Sequence, residues 1–184
     1  IKGTAKRGAT TEEDTLLKQN LAENKKEQSE NVMIVDLVRN DLSKTATKAS
    51  VQVEELFGIY TFKQVHQMIS TIVSEVSADQ KPVDIIKSTF PMGSMTGAPK
   101  LSAMKIIEEV EKTKRGLYSG AIGYFTPNND FDFNVVIRSI LYNQDDKYAS
   151  FSVGSAITIN ANATDEYNEC LLKAQAMQKV LQQC

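Results

Sequence analysis

The sequence predicts an α+β fold in which mostly antiparallel strands are flanked by helices. Two observations support this prediction. Three strand candidates follow one another in the second half of the chain, separated only by the turn compositions "PNND" and "NQDD". Amphipathic helical patterns stand before and after them, and connections this short join antiparallel strands.

The first helix is predicted to start at Thr10 or Thr11, because acidic residues 12–14 follow as a first turn with a capping-box pattern. The polar stretch 22–30 is predicted to be solvated. The run "VMIVDLVRNDL" over 32–42 fits both a strand and a helix. We favour a helix that frays into a turn at "RNDLSK".

Strand patterns follow at 50–53 and 65–76, where Val, Ile and Thr are frequent. Pro82 opens a short helix that ends before Pro91. A glycine-bearing loop then leads into a helix with Leu101, Met104, Ile107 and Val110 on one side, and Gly116 is placed to stop it. The strand candidates at 121–126, 133–141 and 148–153 predict an antiparallel meander, and a helix closes the chain.

Composition narrows the class of protein. Of the 184 residues, 41% are hydrophobic and 24% are charged, as in a soluble globular protein. The net charge of −2 gives no basic excess for nucleic acid, and no apolar run is long enough for a bilayer. The pattern of Cys170 and Cys184 indicates neither a disulfide framework nor a zinc site. We expect a cytoplasmic protein without a signal peptide.

The chain begins Ile1-Lys2-Gly3-Thr4, without an initiator methionine. An apolar residue followed at once by a Gly-Thr turn is typical of a domain interior. We therefore expect a piece of a longer protein.

Two glutamate pairs attract attention because each has a spacing of three residues in a predicted helix or helical turn. Glu166 and Glu169 lie at the start of the closing helix. Glu27 and Glu30 lie in a predicted helical turn in the first part of the chain. Acidic first turns are stabilised by the helix dipole, and the same spacing arises by chance in charged helices. Alternatively, the pairs converge on Mg²⁺, which takes oxygen ligands and keeps several waters.

Other segments allow two interpretations each. The loop "FPMGSMTGAPK" is an anion site or a plain capping turn, and Gly154-Ser155-Ala156 exposes N–H groups or forms a strand bend. Arg138, in an apolar strand pattern, needs an anionic partner. His66 is the lone histidine, and Lys2 is a nucleophile or an ordinary exposed lysine.

These pieces, in this order, resemble the chorismate-utilising enzymes. The matching stretches are "IKGTAKRG", "SENVMIVDLVRNDLS", "VHQMISTIVSEV", "FPMGSMTGAPK", "RGLYSGAIGYF", "NVVIRSI" and "EYNECLLKAQA". They run from the first residue almost to the last. The resemblance implies that residues 1–184 are the C-terminal portion of a single chorismate-binding domain whose N-terminal portion is missing from the chain.

The resemblance also implies a site. Mg²⁺ would bridge protein and substrate carboxylates, with Glu30 and Glu169 as direct ligands and Glu27 and Glu166 acting through water. Arg138 and Tyr118 match residues that hold the enolpyruvyl carboxylate, and Lys173 matches a lysine at the carboxylate end of the site. The remaining matched positions are Gly3, Thr4, Ser94, Gly154, Ser155 and Ala156 for substrate binding, where the family often has glycine at the last, and His66 near the ring as a catalytic residue.

Lys2 selects a branch of the family. Enzymes resembling aminodeoxychorismate synthase (para-aminobenzoate synthase component I) carry lysine at this position, whereas anthranilate synthases usually carry alanine. The implied reaction converts chorismate to 4-amino-4-deoxychorismate, for para-aminobenzoate and folate, through a covalent lysine adduct. A glutamine amidotransferase subunit would supply the ammonia, and the family's general-acid glutamate lies upstream of this chain.

Two alternatives remain at this point. One is an anthranilate-type or isochorismate-type enzyme that acts on the same substrate. The other is a catalytically incomplete half-domain whose role is to pack against the missing portion.

Overall fold

The computed structural model describes residues 1–159 and 161–183 and divides the chain into two compact units, Ile1–Lys112 and Thr113–Cys184. Both units combine helices with antiparallel strands, so the predicted fold class is confirmed. Cys184, one of the two cysteines considered above, lies outside the described residues. Cys170 is half-buried and has a free thiol.

The first unit is built on a three-stranded antiparallel sheet in the order β1–β3–β2. Its strands are β1 (Thr4–Lys6), β2 (Gln52–Thr61) and β3 (Val65–Val73). Two helices, α1 (Thr11–Glu23) and α2 (Lys25–Leu42), pack against this sheet. The buried side chains at this contact are Leu21, Val35, His66 and Met68, with Asn31 among them.

A single asparagine separates α1 from α2. Thr10 caps α1 as predicted, since its hydroxyl accepts from the N–H of Glu13 at 3.2 Å. Asn24 then ends α1 and caps α2, accepting from the N–H groups of Lys26 and Glu27. None of residues 22–30 is buried, in agreement with the predicted solvated stretch, although α2 already begins at Lys25. This places Glu27 and Glu30 in the first two turns of α2.

The prediction for the second strand was too short. β2 runs for ten residues, but its pairing with β3 shifts register between Val53 and Glu55 and again between Glu55 and Gly58. Phe57 has a φ of +59° at the second irregularity. Such β-bulges break the alternation by which a strand is read from sequence.

Two further helices complete the first unit. α3 (Pro82–Thr89) and α4 (Lys100–Val110) confirm the predicted helices, and a 3₁₀ turn over Gly93–Met95 lies between them. The predicted stop at Gly116 was wrong. α4 ends at Val110, and Gly116 takes a φ of +60° in a later turn.

The second unit contains two separate antiparallel hairpins and the closing helix. One hairpin pairs β4 (Ala121–Phe125) with β5 (Phe131–Val135), and the other pairs β6 (Leu141–Asn143) with β7 (Tyr148–Ser150). The predicted three-strand meander was thus wrong, because the candidate at 133–141 is split between two hairpins. α5 (Ala163–Leu181) confirms the closing helix, with Asn162 as its cap.

Within the part of the chain that the structure describes, no helix combines the length and the apolar character that crossing a membrane requires.

Candidate active site

Lys2 is held at its main chain by two neighbouring elements. Its N–H donates to the carbonyl of Met68 on β3 at 3.1 Å, and its carbonyl accepts from Asn31 Nδ2 on α2 at 3.0 Å. The next residue, Gly3, has a φ of +107°, a conformation open to glycine but not to other residues. These contacts place the Lys2 side chain beside the start of α2.

The ammonium group of Lys2 forms an ion pair with Glu30. The distance from Nζ to Glu30 Oε2 is 2.8 Å, and the side chains are 27% and 14% exposed. Lys26 lies farther from the same carboxylate, at 3.9 Å, and is largely exposed. Two residues singled out from distant parts of the sequence are therefore in direct contact.

Gly3 brings Glu27 into the same group. A Cβ on Gly3 would lie 3.0 Å from the Cβ of Met68 and 3.3 Å from Glu27 Oε2. Glycine thus permits a close approach between the backbone and this carboxylate. Thr4 follows as an exposed residue of β1, opposite Gln67.

His66 has a buried environment of its own. Its ring is 1% exposed, with Nε2 2.9 Å from Asp14 Oδ1 and Nδ1 3.0 Å from the hydroxyl of Thr61. An ionised carboxylate can only accept, so Nε2 carries a hydrogen and donates it to Asp14. Because both nitrogens already have partners, the structure gives His66 a packing role, and its catalytic role stays a prediction.

Asp14 is the centre of that cluster. Arg7 donates to both of its carboxylate oxygens at 2.8 Å, and the N–H of Gly8 donates at 2.8 Å. The hydrogen bonds from Arg7, and then that from Gly8, hold the pKa of Asp14 well below its usual range. The contribution of this carboxylate to stability is therefore fully present above its unfolded pKa, about 3.9, and is lost as the pH falls towards the folded value.

We expect Asp14→Asn to flatten the acid side of the stability profile. The wild-type protein should lose stability steeply below about pH 4, and the variant should be less stable at pH 7 but lose less on acidification. Urea unfolding between pH 7 and pH 2.5 measures this. Asp36→Asn is the matched control, since Asp36 pairs with Arg39 on the exposed face of α2. Equal pH profiles for the wild type and Asp14→Asn would contradict the assignment.

The loop that carries Ser94 is tightly folded. Gly93 is buried, and a Cβ there would lie 2.9 Å from the Cβ of Leu37 on α2. The N–H groups of Met95 and Thr96 bond to carbonyls within the loop, and Pro99 rather than Ser94 or Thr96 precedes α4. The loop thus supplies the N-cap residue of α4 without a side-chain cap, and the anion-site interpretation stays a prediction. Ser94 is exposed, and its role in substrate binding stays a prediction.

The second unit gathers another group of predicted residues around the start of α5. Ser155 Oγ donates to Glu166, and Lys173 Nζ lies 2.5 Å from Glu169 Oε1 and 3.0 Å from the carbonyl of Gly154. A Cβ on Gly154 would lie 2.8 Å from the hydroxyl of Tyr118. Five residues named in the sequence analysis thus share one neighbourhood with Tyr118: Gly154, Ser155, Glu166, Glu169 and Lys173.

Two local predictions in this unit were wrong. Arg138 does not lie in a strand, because β5 ends at Val135 and Arg138 occupies an exposed bend with a φ of +52°. Residues 154–156 do not end a strand either, since β7 stops at Ser150. The roles proposed for Arg138 and Ala156 in substrate binding stay predictions.

The donor chemistry in both units suits a hard cation. Each glutamate pair offers carboxylate oxygens, the ligand type that Mg²⁺ favours, and one member of each pair already contacts a lysine ammonium. Within the described residues, no three His, Cys, Asp or Glu side chains cluster as a complete metal site. The type of donor atom in the two glutamate pairs is therefore suited to Mg²⁺, and each unit contains one pair.

Several residues that build the site were not found from the sequence. Asn31 and Ser70 support Lys2, Asp14 holds His66, and Asp41 binds Lys100. Asn31 left a detectable signal, because it takes a position in the apolar stripe of α2, four residues before buried Val35. The others are ordinary polar residues until the fold brings their partners near.

A sequence model of the family described as "chorismate binding enzyme" matches residues 1–179. The probable aminodeoxychorismate synthase, chloroplastic, of Oryza sativa subsp. japonica is 47% identical over 184 residues, which are 100% of this chain and 20% of that protein. Aminodeoxychorismate synthase component 1 of Bacillus subtilis is 43% identical over 182 residues, 99% of this chain and 38% of that protein.

The same relationship is found among solved structures. Anthranilate synthase component I from Streptococcus pneumoniae superimposes with a TM-score of 0.78 at 33% identity, covering 95% of this chain and 39% of that one. The chain thus spans between a fifth and two fifths of the length of these relatives.

Proposed function

This chain belongs to the chorismate binding enzyme family, and we propose from that premise that the whole protein aminates chorismate at C4. The product would be 4-amino-4-deoxychorismate. The names of the rice and B. subtilis relatives, both aminodeoxychorismate synthases, support this choice within the family.

The observation that carries the proposal is the position of Lys2. Lys2 is the position at which this sequence resembles the lysine-bearing branch of the family. The residue is held by a hydrogen bond at its carbonyl and by an ion pair at its ammonium group. A nucleophile has to be oriented before it can react, and a half-buried lysine with a fixed main chain meets this need. Glu30 orients the ammonium group through the ion pair at 2.8 Å.

The proposed covalent route balances in two steps. The neutral amine of Lys2 forms a bond to ring carbon C2, while the double bond shifts and the C4 hydroxyl leaves as water after protonation. Ammonia then forms a bond at C4, the double bond shifts back, and the C2–N bond to Lys2 breaks. Overall, chorismate and ammonia give 4-amino-4-deoxychorismate and water.

Binding of the substrate would fall to the cationic and small residues. We propose that Arg138 and Tyr118 hold the enolpyruvyl carboxylate, since a guanidinium offers paired donors to a carboxylate. Lys173 and residues 154–156 would face a second carboxylate, and Gly3, Thr4, Ser94 and His66 would line the ring.

Mg²⁺ is proposed as the cofactor. Glu30 and Glu169 would bind it directly, and Glu27 and Glu166 would support it through water. When bound, the ion supplies the positive charge that a doubly negative substrate needs beside four carboxylates. Lys2 and Lys173 each form an ion pair with one of the two proposed direct ligands, Glu30 and Glu169.

The ammonia is proposed to come from a glutamine amidotransferase partner, and the cytoplasm is the proposed location. The name of the rice relative is marked chloroplastic, so a plastid is the alternative location.

The test is product identification. The whole protein, incubated with chorismate, Mg²⁺ and ammonium at alkaline pH, should form 4-amino-4-deoxychorismate, and omission of Mg²⁺ with added chelator should abolish it. Mass spectrometry and chromatography distinguish the possible products. Anthranilate would instead support a C2-aminating enzyme, as the name of the S. pneumoniae relative suggests. Isochorismate would indicate hydroxylation, and no turnover by the whole protein would contradict the proposal.

A further inference from the structure

Asn31 occupies a buried position directly beside Lys2. It is 2% exposed and lies next to Glu30 on α2. Its Nδ2 donates to the carbonyl of Lys2 at 3.0 Å, while Glu30 holds the ammonium group of the same lysine at 2.8 Å. Two consecutive residues of α2 therefore hold the two ends of Lys2.

The Asn31 amide is itself fixed from the sheet. Ser70 Oγ on β3 donates to Asn31 Oδ1 at 2.6 Å, and the same hydroxyl accepts from the N–H of Phe57 at 3.1 Å. This chain of bonds fixes the rotation of the amide, because Oδ1 must face the hydroxyl hydrogen and Nδ2 must face the carbonyl. It runs from the bulge of β2 through β3 and α2 to Lys2.

Packing around Lys2 and Asn31 is incomplete. A cavity of about 50 Å³ lies next to Lys2, and Asn31, Val35 and Ser70 are among the residues that line it. A side chain beside a void lacks partner atoms there and gains little dispersion energy. The hydrogen bond from Asn31 therefore acts together with the bond from the Lys2 N–H to the Met68 carbonyl in fixing the Lys2 main chain beside this cavity.

We propose that Asn31 is a positioning residue for Lys2: it fixes the main chain from which the reactive amine extends. The role of this position in catalysis rests on the proposed function, whereas the hold on the main chain does not. A misplacement of about 1 Å at a reacting group lowers a rate by up to about 10²-fold. The loss should therefore appear in kcat and leave substrate binding nearly unchanged.

Asn31→Leu, made in the whole protein, tests this inference with a side chain of similar shape that cannot donate. Its kcat for C4 amination should fall by about 10- to 100-fold, with KM for chorismate within about 2-fold. Hydrogen exchange should quicken in residues 2–4 while residues 65–70 stay protected. Val35→Ala is the matched control, because it enlarges the same cavity and lowers stability but leaves the bond to Lys2 intact.

Ser70→Ala gives a second test that does not alter Asn31. It removes the anchor of the amide, so it should produce the same two changes to a smaller degree. An Asn31→Leu variant whose kcat is reduced no more than that of Val35→Ala, or whose residues 2–4 exchange as in the wild type, would overturn the inference. A wild-type protein without C4 amination would overturn the proposed function, while the exchange rates would still decide whether Asn31 holds Lys2.

Discussion

Lys2→Ala should lower the rate of C4 amination by about 10³-fold or more, because it removes the nitrogen atom that forms the proposed bond to C2. Chorismate should still bind, since Lys2 contributes a nucleophile rather than a carboxylate contact in this mechanism. Steady-state turnover and equilibrium binding, measured on the whole protein, separate the two effects. With ammonia withheld, the wild type should accumulate an adduct on Lys2 with the mass of chorismate less one water.

Lys26→Ala is the matched control for that experiment. Lys26 approaches the same carboxylate, at 3.9 Å from Glu30 Oε1, but its side chain is 66% exposed. Its removal changes the charge near Glu30 and leaves Lys2 in place, so turnover should change by no more than about 2-fold. Equal losses in the two variants would mean that the charge matters rather than the nucleophile. Unchanged turnover in Lys2→Ala would eliminate the covalent route.

Local signals in the sequence predicted most of the helices and both glutamate pairs. The cap at Thr10, the helix start at Pro82 and the acidic first turn that contains Glu166 depend on neighbours within four residues, which the sequence displays directly. The early start of α2, which the sequence analysis did not predict, also has a local cause. α2 starts earlier than its apolar stripe because Asn24 caps two N–H groups in an otherwise polar stretch.

Long-range contacts account for what the sequence did not predict. The pairing of Lys2 with Glu30 joins residues 28 positions apart, and the contact of Ser70 with Asn31 joins residues 39 positions apart. Neither spacing is periodic, so only the assembled sheet and helix bring the partners together. At Arg138 the sequence predicted a strand that the structure does not contain. The run of Val and Ile favours a strand, but β5 ends at Val135 and Arg138 has a positive φ.

Buried polar residues are the hardest to predict, because they look like surface residues until their partners are known. Asp41 is an example. It lies in the last turn of α2, in the segment predicted to fray, yet it is 5% exposed. It accepts from Lys100 Nζ at 2.5 Å and from Lys44 Nζ at 2.9 Å. The frayed end was therefore wrong, because this ion pair holds the end of α2 in place.

Lys100 also fixes the loop that carries Ser94. Besides Asp41, its ammonium donates to the carbonyl of Thr89 at 3.1 Å and to that of Pro91 at 2.6 Å. These three acceptors match the three hydrogens of the group. Lys100 lies at the start of α4, so one side chain ties both ends of segment 89–100 to α2. Its side chain is 14% exposed and that of Asp41 is 7% exposed.

Lys100→Met should lower the free energy of unfolding by about 3 kcal/mol, because it leaves a buried carboxylate with a single partner. Lys44→Met is the matched control: Lys44 binds the other oxygen of Asp41 but is 45% exposed, so its loss should cost about 1 kcal/mol or less. The double variant Asp41→Leu/Lys100→Met should recover much of the loss, since apolar residues of similar volume can replace a buried ion pair. Urea unfolding measures all three. If Lys100→Met cost no more than Lys44→Met, the ion pair would not be the contact that holds α2 and the loop together.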